Sequence, residues 1–565
     1  MKSRKRRLTN KNRFLENVIL LLLPYKGKVT FVLVCMIIGS VATAVTPLVN
    51  RALIDQGIVA LDFTMLMMMI GVMALLFVIE RLVDILEFWQ LMKMNRSFVF
   101  RLNIKAQNHL MKLPVSYFKD NQETQIINNI QMDIGKISLI TDRFMLIVIA
   151  QVFGVAGAMV GLAIIDPWLL LIVMAVIPIK FFIVRFFAKR HERLIEKYIQ
   201  LYGKYNALYG DILGNVEVLK LWNLRRRKLR GLALSQKDIL HNDIKRSVNE
   251  KTSETLDGLV GFLMNMAIYM IGFMGIVSGR LTIGGLFAFM AYSAQIVAPV
   301  SLLAKVQHYI ADIKPSLKRH IEFLEIPEEE ASVRDKIEEI NVPNEIIFSD
   351  VSLMYEDMKV LDKLNLKLKK GEKVAIVGEN GSGKSSFIQL LLRLEVPSEG
   401  NIYFDQTKID DFRIYNYREL FAVIRQEINL FDGSVRDNVD LRDEYTDTEI
   451  ISKFTFWGIG ELLNTLPEGL STPVGQEGSK LSGGEKQKIT AVRAGLKKAK
   501  ILILDEATAH YDKESEQLFN QALEGELSYD YVIIITHQES VLEKVDRIIR
   551  LENGKIMDGG SLRRI

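Results

Sequence analysis

Roughly six apolar stretches precede Ser316, each near the ~20 residues that a helix rising 1.5 Å per residue needs to cross ~30 Å of hydrocarbon. They lie near Val29 to Val49, Thr64 to Val83, Phe144 to Ile165, Trp168 to Phe187, Leu259 to Val277 and Gly285 to Val306. Such a chain cannot fold as an ordinary soluble domain: in lipid each backbone polar group must be satisfied inside its own segment, so the stretches read as spanning helices. A mean hydropathy of +0.16 beside 25% charged residues is then the average of a very apolar part and a polar one. Disorder and a disulfide scaffold are excluded. The single cysteine, Cys35, sits in an apolar run and reads as a small buried hydrophobe. A net charge of +5, evenly spread, gives no reason to expect a nucleic-acid partner.

The connections fix an expected topology. Asn50 to Phe63, Asp166 to Pro167 and Ser278 to Gly284 are short, whereas Asp84 to Arg143 and Ala188 to Asp257 are long, charged and helix-like. Lys and Arg crowd the long ones near the spans (Arg185, Lys189, Arg190, Arg193), which places them in the cytoplasm together with both chain ends. The basic run Lys2 to Arg13 and the amphipathic Phe14 to Leu23 read as a helix on the cytoplasmic membrane surface. Within the spans, Gly157 and Gly161 permit close helix contact. Thr43, Gln151, Asn265, Tyr269, Tyr292 and Gln295 are candidate substrate contacts, and Met65, Met69 and Met73 a soft apolar face. Glu80, Arg81 and Asp84 form a charge cluster in which Arg81 is expected to pair with Asp84, leaving Glu80 to favour a cation.

Beyond a polar linker near Glu325 to Pro343, short β-like runs (Glu345 to Val351, Lys373 to Val377, Ile501 to Leu504, Tyr531 to Ile535) alternate with helical patterns, as in a parallel α/β domain. Gly378-Glu379-Asn380-Gly381-Ser382-Gly383-Lys384-Ser385, followed by Ser386, fits G-x-x-x-x-G-K-[ST] between an apolar strand and a helix. In such a loop backbone N–H groups cradle phosphates, the lysine reaches the β- and γ-phosphates and the serine hydroxyl ligates Mg²⁺. The run Ile501-Leu502-Ile503-Leu504 delivers Asp505 as a further Mg²⁺ ligand and Glu506 as the general base. Leu481-Ser482-Gly483-Gly484-Glu485 opens a helix and offers a second anion site. One nucleotide has one γ-phosphate, so two chains facing head to tail, each lending its serine, is the economical arrangement.

With these motifs the chain resembles an exporter-type half-transporter of the ATP-binding cassette (ABC) superfamily over nearly its whole length. The resemblance implies a membrane α-helical bundle of six transmembrane helices with long cytoplasmic extensions, followed by an α/β P-loop NTPase domain of ABC type. The expected division is 1–28 basic and interfacial, 29–322 membrane domain with two intracellular loops, 323–343 linker and 344–565 ATP-binding domain. It further implies that Gln426 touches Mg²⁺, that His537 contacts the γ-phosphate, that Tyr355 stacks on adenine, and that Asp512 is the D-loop aspartate. Short coupling helices are expected near Ser116 to Thr124 and within Gly214 to Trp222.

The implied activity is ATP hydrolysis, with ATP and Mg²⁺, driving export of an amphipathic or hydrophobic substrate (peptide, lipid or drug) across a bacterial plasma membrane. An ATP-gated channel or regulatory receptor would have the same architecture. Glu485 stands where the family usually has Gln, Gln476 where it has Glu, and Ala509-His510-Tyr511-Asp512 where Ser-Ala-Leu-Asp is usual. All would face a partner chain, so the chain reads either as a homodimer or as the catalytic half of a heterodimer.

Overall fold

The computed structural model describes residues 16–120, 123–141, 143–330, 336–355, 358–426, 428–507, 511, 513–524 and 529–557. Asp512, Ala509, His510 and the basic run before Phe14 lie outside the described residues. Two compact units divide the chain: Met1–His109 with Thr124–Glu325, and Leu110–Glu123 with Ile326–Ile565.

In the first unit the apolar stretches fall in helices Lys26–Ala52, Phe63–Leu110, Arg143–Ile165, Pro167–Gly214, Arg225–Val277 and Ile283–Leu324. Among the described residues four helical stretches are long and apolar enough to cross a membrane, and shorter apolar segments occupy Gln151–Ile165 and Ile283–Val297. The charged connections are continuations of the spans themselves. Phe63–Leu110 and Pro167–Gly214 have 48 residues each and Arg225–Val277 has 53, and at 1.5 Å per residue each is more than twice the ~30 Å of hydrocarbon. No breaker stops them where the composition turns from Leu and Ile to Lys and Glu, because both sets are helix formers.

Short turns are tied by acidic caps. The Asp166 carboxylate accepts from Trp168 N at 2.8 Å and Leu169 N at 3.2 Å, with Pro167 at the first helical position, and pairs with Arg280 at 3.0 Å. Asp55 accepts from Thr282 Oγ1 at 2.6 Å and Gly284 N at 2.8 Å. At Gly161 a Cβ would stand 2.5 Å from the Tyr292 ring and at Gly157 3.1 Å from Ala44, so the GxxxG pair does bring helices close.

The second unit has two sheets. Strands β1 (Glu345–Tyr355), β2 (Met358–Lys369), β4 (Glu399–Phe404) and β5 (Thr407–Lys408) form an antiparallel sheet in the order β2-β1-β4-β5. The other sheet runs β10-β9-β3-β8-β7-β6 and contains β3 (Lys373–Val377), β6 (Phe421–Ile424), β7 (Ile501–Asp505), β8 (Tyr531–Ile535), β9 (Arg547–Glu552) and β10 (Lys555–Met557). It is parallel except for β10. The antiparallel sheet is an addition to the all-parallel expectation, since β1 extends past Val351 and alternates buried with half-buried positions, as in a sheet with one solvated face. The central strands β7 and β8 are buried on both faces, as their unbroken apolar runs require.

Candidate functional site

Four neighbouring parallel strands, β3, β8, β7 and β6, end on the same edge of the sheet. That register brings together residues far apart in sequence: the Gly378–Ser385 loop after β3, His537 just beyond β8, Asp505 and Glu506 at the end of β7, and Gln426 just beyond β6. Ligands in parallel sheets bind at the carboxyl ends of strands, where loops and helix N-termini supply free N–H groups.

The loop is built around groups with no room or no partner. At Gly378 a Cβ would lie 2.1 Å from Leu551 O, and at Gly383, with φ +104, 2.5 Å from Leu361 Cδ2, so both glycines are obligatory. Lys384 Nζ donates to Gly378 O at 2.6 Å and Glu379 O at 2.9 Å, which holds its charge inside the loop. Ser382 Oγ is buried without a hydrogen-bond partner among the described residues, and such a group costs about 1–3 kcal/mol unless a ligand satisfies it. The helix Lys384–Leu391 starts here, and Ser385 is exposed on its first turn with Ser386 half-buried beside it.

Burial pushes the Asp505 carboxyl above its usual range; Arg425 and Lys384 pull it down and Glu506 adds to the rise. Among the described residues no ion pair neutralises it. A hydroxyl (Ser385), an amide (Gln426) and this carboxylate form the hard oxygen donor set that suits Mg²⁺. Glu506 adopts φ +50, an unfavourable region for a non-glycine residue that persists only where surroundings hold it. Here its N–H donates to Ile535 O at 3.0 Å and its carbonyl accepts from Gln487 Nε2 at 3.0 Å. Its carboxylate lies 3.8 Å from His537 Nε2, with the imidazole half-exposed. Gln487 is completely buried. The sequence hint for it was a polar residue on the buried face of an amphipathic helix.

Ser482, Gly483, Gly484 and Glu485 are not joined to the Gly378–Ser385 loop by any hydrogen bond or ion pair among the described residues. They close on themselves: Glu485 Oε2 accepts from Ser482 N at 2.7 Å and Ser482 Oγ at 2.8 Å, and Ser482 Oγ accepts from Glu485 N at 3.3 Å, a capping box. Ser482 and Gly483 are exposed.

Tyr355 ends β1, half-buried, with its hydroxyl donating to Gln389 Oε1 at 3.1 Å; burial raises its pKa. The short helix Val115–Asp120 in the same unit adds Lys119, which meets Glu395 at 2.5 Å and Gln389 at 3.1 Å and stands 5.7 Å from the Tyr355 ring centroid. Neither Lys119 nor Glu395 belongs to a motif.

In the first unit a cavity of about 650 Å³ is lined by Thr43, Gln151 and Gln295, three of the expected polar contacts, together with Glu80, Arg81, Asp84 and Glu87. Asn265, Tyr269 and Tyr292 do not line it, and Tyr292 spends its hydroxyl on Ala44 O. Glu80 is not left over as expected: Arg81 reaches it at 3.8 Å and Thr43 Oγ1 donates to it at 3.1 Å.

Comparisons with known proteins bear on the family and the fold. Residues 361–509 match the family model described as ABC transporter, and residues 29–300 that of the ABC transporter transmembrane region. Over 446 residues the chain is 30% identical to an ATP-dependent lipid A-core flippase of Neisseria gonorrhoeae, covering 78% of this chain and 70% of that protein. Its counterpart in Haemophilus ducreyi is 28% identical over 546 residues, 93% of this chain and 92% of that protein. A solved bacterial Atm1-family ABC exporter with ATP bound superposes with a TM-score of 0.79 at 23% identity, covering 94% and 95% of the two chains.

Proposed function

The chain belongs to the ABC transporter family, with the transmembrane region and the ATPase in one polypeptide, and on that premise we propose an ATP-hydrolysing exporter that moves an amphipathic substrate out of the cytoplasm or inner leaflet. The observation that carries this reading is the shared strand edge, where a phosphate loop, the half-buried Asp505 carboxylate and a rigidly held Glu506 meet. Lys384 exchanges its bonds to Gly378 O and Glu379 O for phosphate oxygens, and Ser382 Oγ gains the partner it lacks. Glu506, held in place at both backbone ends, orients and deprotonates the attacking water, with His537 beside it at 3.8 Å. Mg²⁺, held by Ser385, Gln426 and Asp505, would neutralise phosphate charge. Tyr355 stacks on the adenine.

Two chains act together. Each offers Ser482, Gly483, Gly484 and Glu485 to the nucleotide on the other, and Asp512 belongs to the same interface. The exposed, self-capped turn supports this, as does the tip of the Pro167–Val277 hairpin. There a helix spanning Val216–Leu221 leaves Leu221 71% and the adjoining Trp222 74% exposed, an apolar surface fit to be covered by a second chain. We take the assembly as a homodimer of six-span subunits in a bacterial plasma membrane, both termini cytoplasmic, with 344–565 as the ATP-binding domain. The cavity lined by Thr43, Gln151 and Gln295 is the substrate site, and the flippase names of the relatives make a lipid the first candidate. The test is Glu506→Gln in the full chain. ATP binding is retained, turnover falls by about 10²-fold or more, and the protein accumulates as an ATP-bound dimer; unimpaired hydrolysis would refute the assigned base.

A further inference from the structure

The opposite edge of the parallel sheet holds a second cavity, of about 770 Å³, that the ATPase reading leaves unused. Phe421, the first residue of β6, lines it, whereas Gln426 of the ATP site lies beyond the other end of that strand. Four segments meet around it: Ile340–Val342 just ahead of β1, the start of β6, the stretch 439–445, and the last turn of the helix Gly483–Leu496 that begins next to Ser482.

Its charges are unbalanced. Arg493 is directed at oxygen atoms that carry no formal charge, donating to Asn438 O at 2.6 Å, Asn438 Oδ1 at 3.2 Å and Asn429 O at 3.3 Å; Lys497 Nζ donates to Arg418 O at 2.8 Å. Neither makes an ion pair among the described residues, and burial pulls the pKa of both below their usual range, that of Arg493 down to about 10, with Glu419 pulling Lys497 part of the way back. Lys498 and Lys500 stand exposed at the rim. The acidic groups are engaged elsewhere or lie in water: Glu419 pairs with Arg442, Asp440 accepts from Tyr445 N at 2.8 Å, and Glu444 is exposed. The rest of the wall is apolar, with Leu420, Leu441, Leu496 and the Tyr445 ring. Arg493 and Lys497 are half-buried, and the one carboxylate that acts on Lys497, Glu419, is already held by Arg442; cations in excess call for an anion, and a pocket of this size with an apolar wall suits a small organic ligand.

We propose that this cavity binds an amphipathic monoanion, an aryl or acyl carboxylate whose charge meets Lys497 and Arg493 and whose apolar body lies against Leu420 and Leu496. A ligand there fixes the last turn of the Ser482 helix to β6 and to the 340–342 segment, so it slows turnover without competing with ATP.

The experiment uses the full chain in lipid nanodiscs, titrated with 2-naphthoate and its neutral counterpart 2-naphthamide by calorimetry, with ATP absent and saturating. Expected is saturable naphthoate binding, one molecule per chain, indifferent to ATP and at least about tenfold weaker for the amide, the worth of one partly buried ion pair. Lys497→Glu loses binding by at least the same factor, and the exposed Lys498→Glu by about threefold. Naphthoate lowers turnover at saturating ATP and leaves the KM for ATP unchanged. Absence of saturable binding, equal affinity for the amide, displacement by ATP, or full affinity in both variants would overturn the proposal.

Discussion

Replacing Lys119 by Met tests whether the short helix Val115–Asp120 acts on nucleotide binding through Tyr355. Lys119 is 40% exposed but its partner Glu395 only 11%, and the pair is reinforced by the bond to Gln389 and by the ammonium near the Tyr355 ring. A fully exposed pair contributes roughly 0–1 kcal/mol and a hydrogen bond to a buried charge about 1.5–3. This half-buried case falls between, at about 1–1.4 kcal/mol. Gln389 also accepts the Tyr355 hydroxyl at 3.1 Å, so the same contacts that hold Lys119 set the ring. If Tyr355 must be preorganised to stack on adenine, Lys119→Met weakens ATP binding by about five- to tenfold. The assay is equilibrium titration of a fluorescent ATP analogue on the full chain in lipid, repeated in a Tyr355→Ala background. There the loss from Lys119→Met should shrink to within about twofold, because the residue it acts through is gone. An undiminished loss in that background, or none in the wild type, refutes the coupling.

Asp505→Asn removes a charge whose burial is unfavourable. A raised carboxyl pKa in the folded state means that the charged form destabilises the fold at neutral pH, and that this penalty fades as pH falls through the folded-state value. Differential scanning calorimetry without nucleotide or Mg²⁺ should therefore show a higher melting temperature for Asp505→Asn at pH 7.5, the gap closing on acidification, while turnover is lost. Glu485→Gln removes a carboxylate from the turn that must accept phosphate. It should lower thermal stability by about 0.5–1 kcal/mol through the weakened cap and, in the Glu506→Gln background, slow dissociation of the ATP-bound dimer by about threefold or more. Faster dissociation would count against it. Gly378→Ala places a methyl group 2.1 Å from Leu551 O, a clash with backbone worth about 1–3 kcal/mol, so ATP affinity measured by titration should fall by at least about tenfold.

Much of the catalytic edge was legible in the sequence because its features are local. A glycine-rich octapeptide between a strand and a helix, and four apolar residues ending in Asp505-Glu506, specify both their conformation and their chemistry. Pairing between distant segments was harder to read. The antiparallel sheet was missed although β2 alternates Leu364, Leu366 and Leu368 with Asn365, Lys367 and Lys369, because its partners β4 and β5 are short and carry no such pattern. The Lys119, Gln389, Glu395 and Tyr355 cluster draws on segments more than 200 positions apart, joined only by the fold. For Arg81, i,i+3 spacing pointed to Asp84, yet spacing alone does not rank competing neighbours, and the adjacent Glu80 is in reach. The long cytoplasmic extensions of the membrane helices were legible from their charged, helix-forming connections rather than from hydropathy. Hydropathy reports where lipid ends, and these helices continue past it.

The two phosphate-binding turns differ in a way that orders the events. The Gly378–Ser385 loop is incomplete by itself, with a buried hydroxyl unsatisfied at Ser382 and a lysine neutralised only by carbonyl dipoles. A nucleotide therefore relieves a standing penalty on entering it. The Ser482 turn has no such deficit, because Glu485 already supplies the negative charge that its N–H and O–H groups seek. It gains nothing from loose phosphate in solution, and trading one anion for another is close to neutral until the incoming phosphate arrives fixed in position on a second chain. On the proposed reading the first turn captures ATP in the separated state, and the second engages only when a loaded partner presents it. Binding energy is thereby reserved for closure, the step in which ATP can discriminate between two conformations.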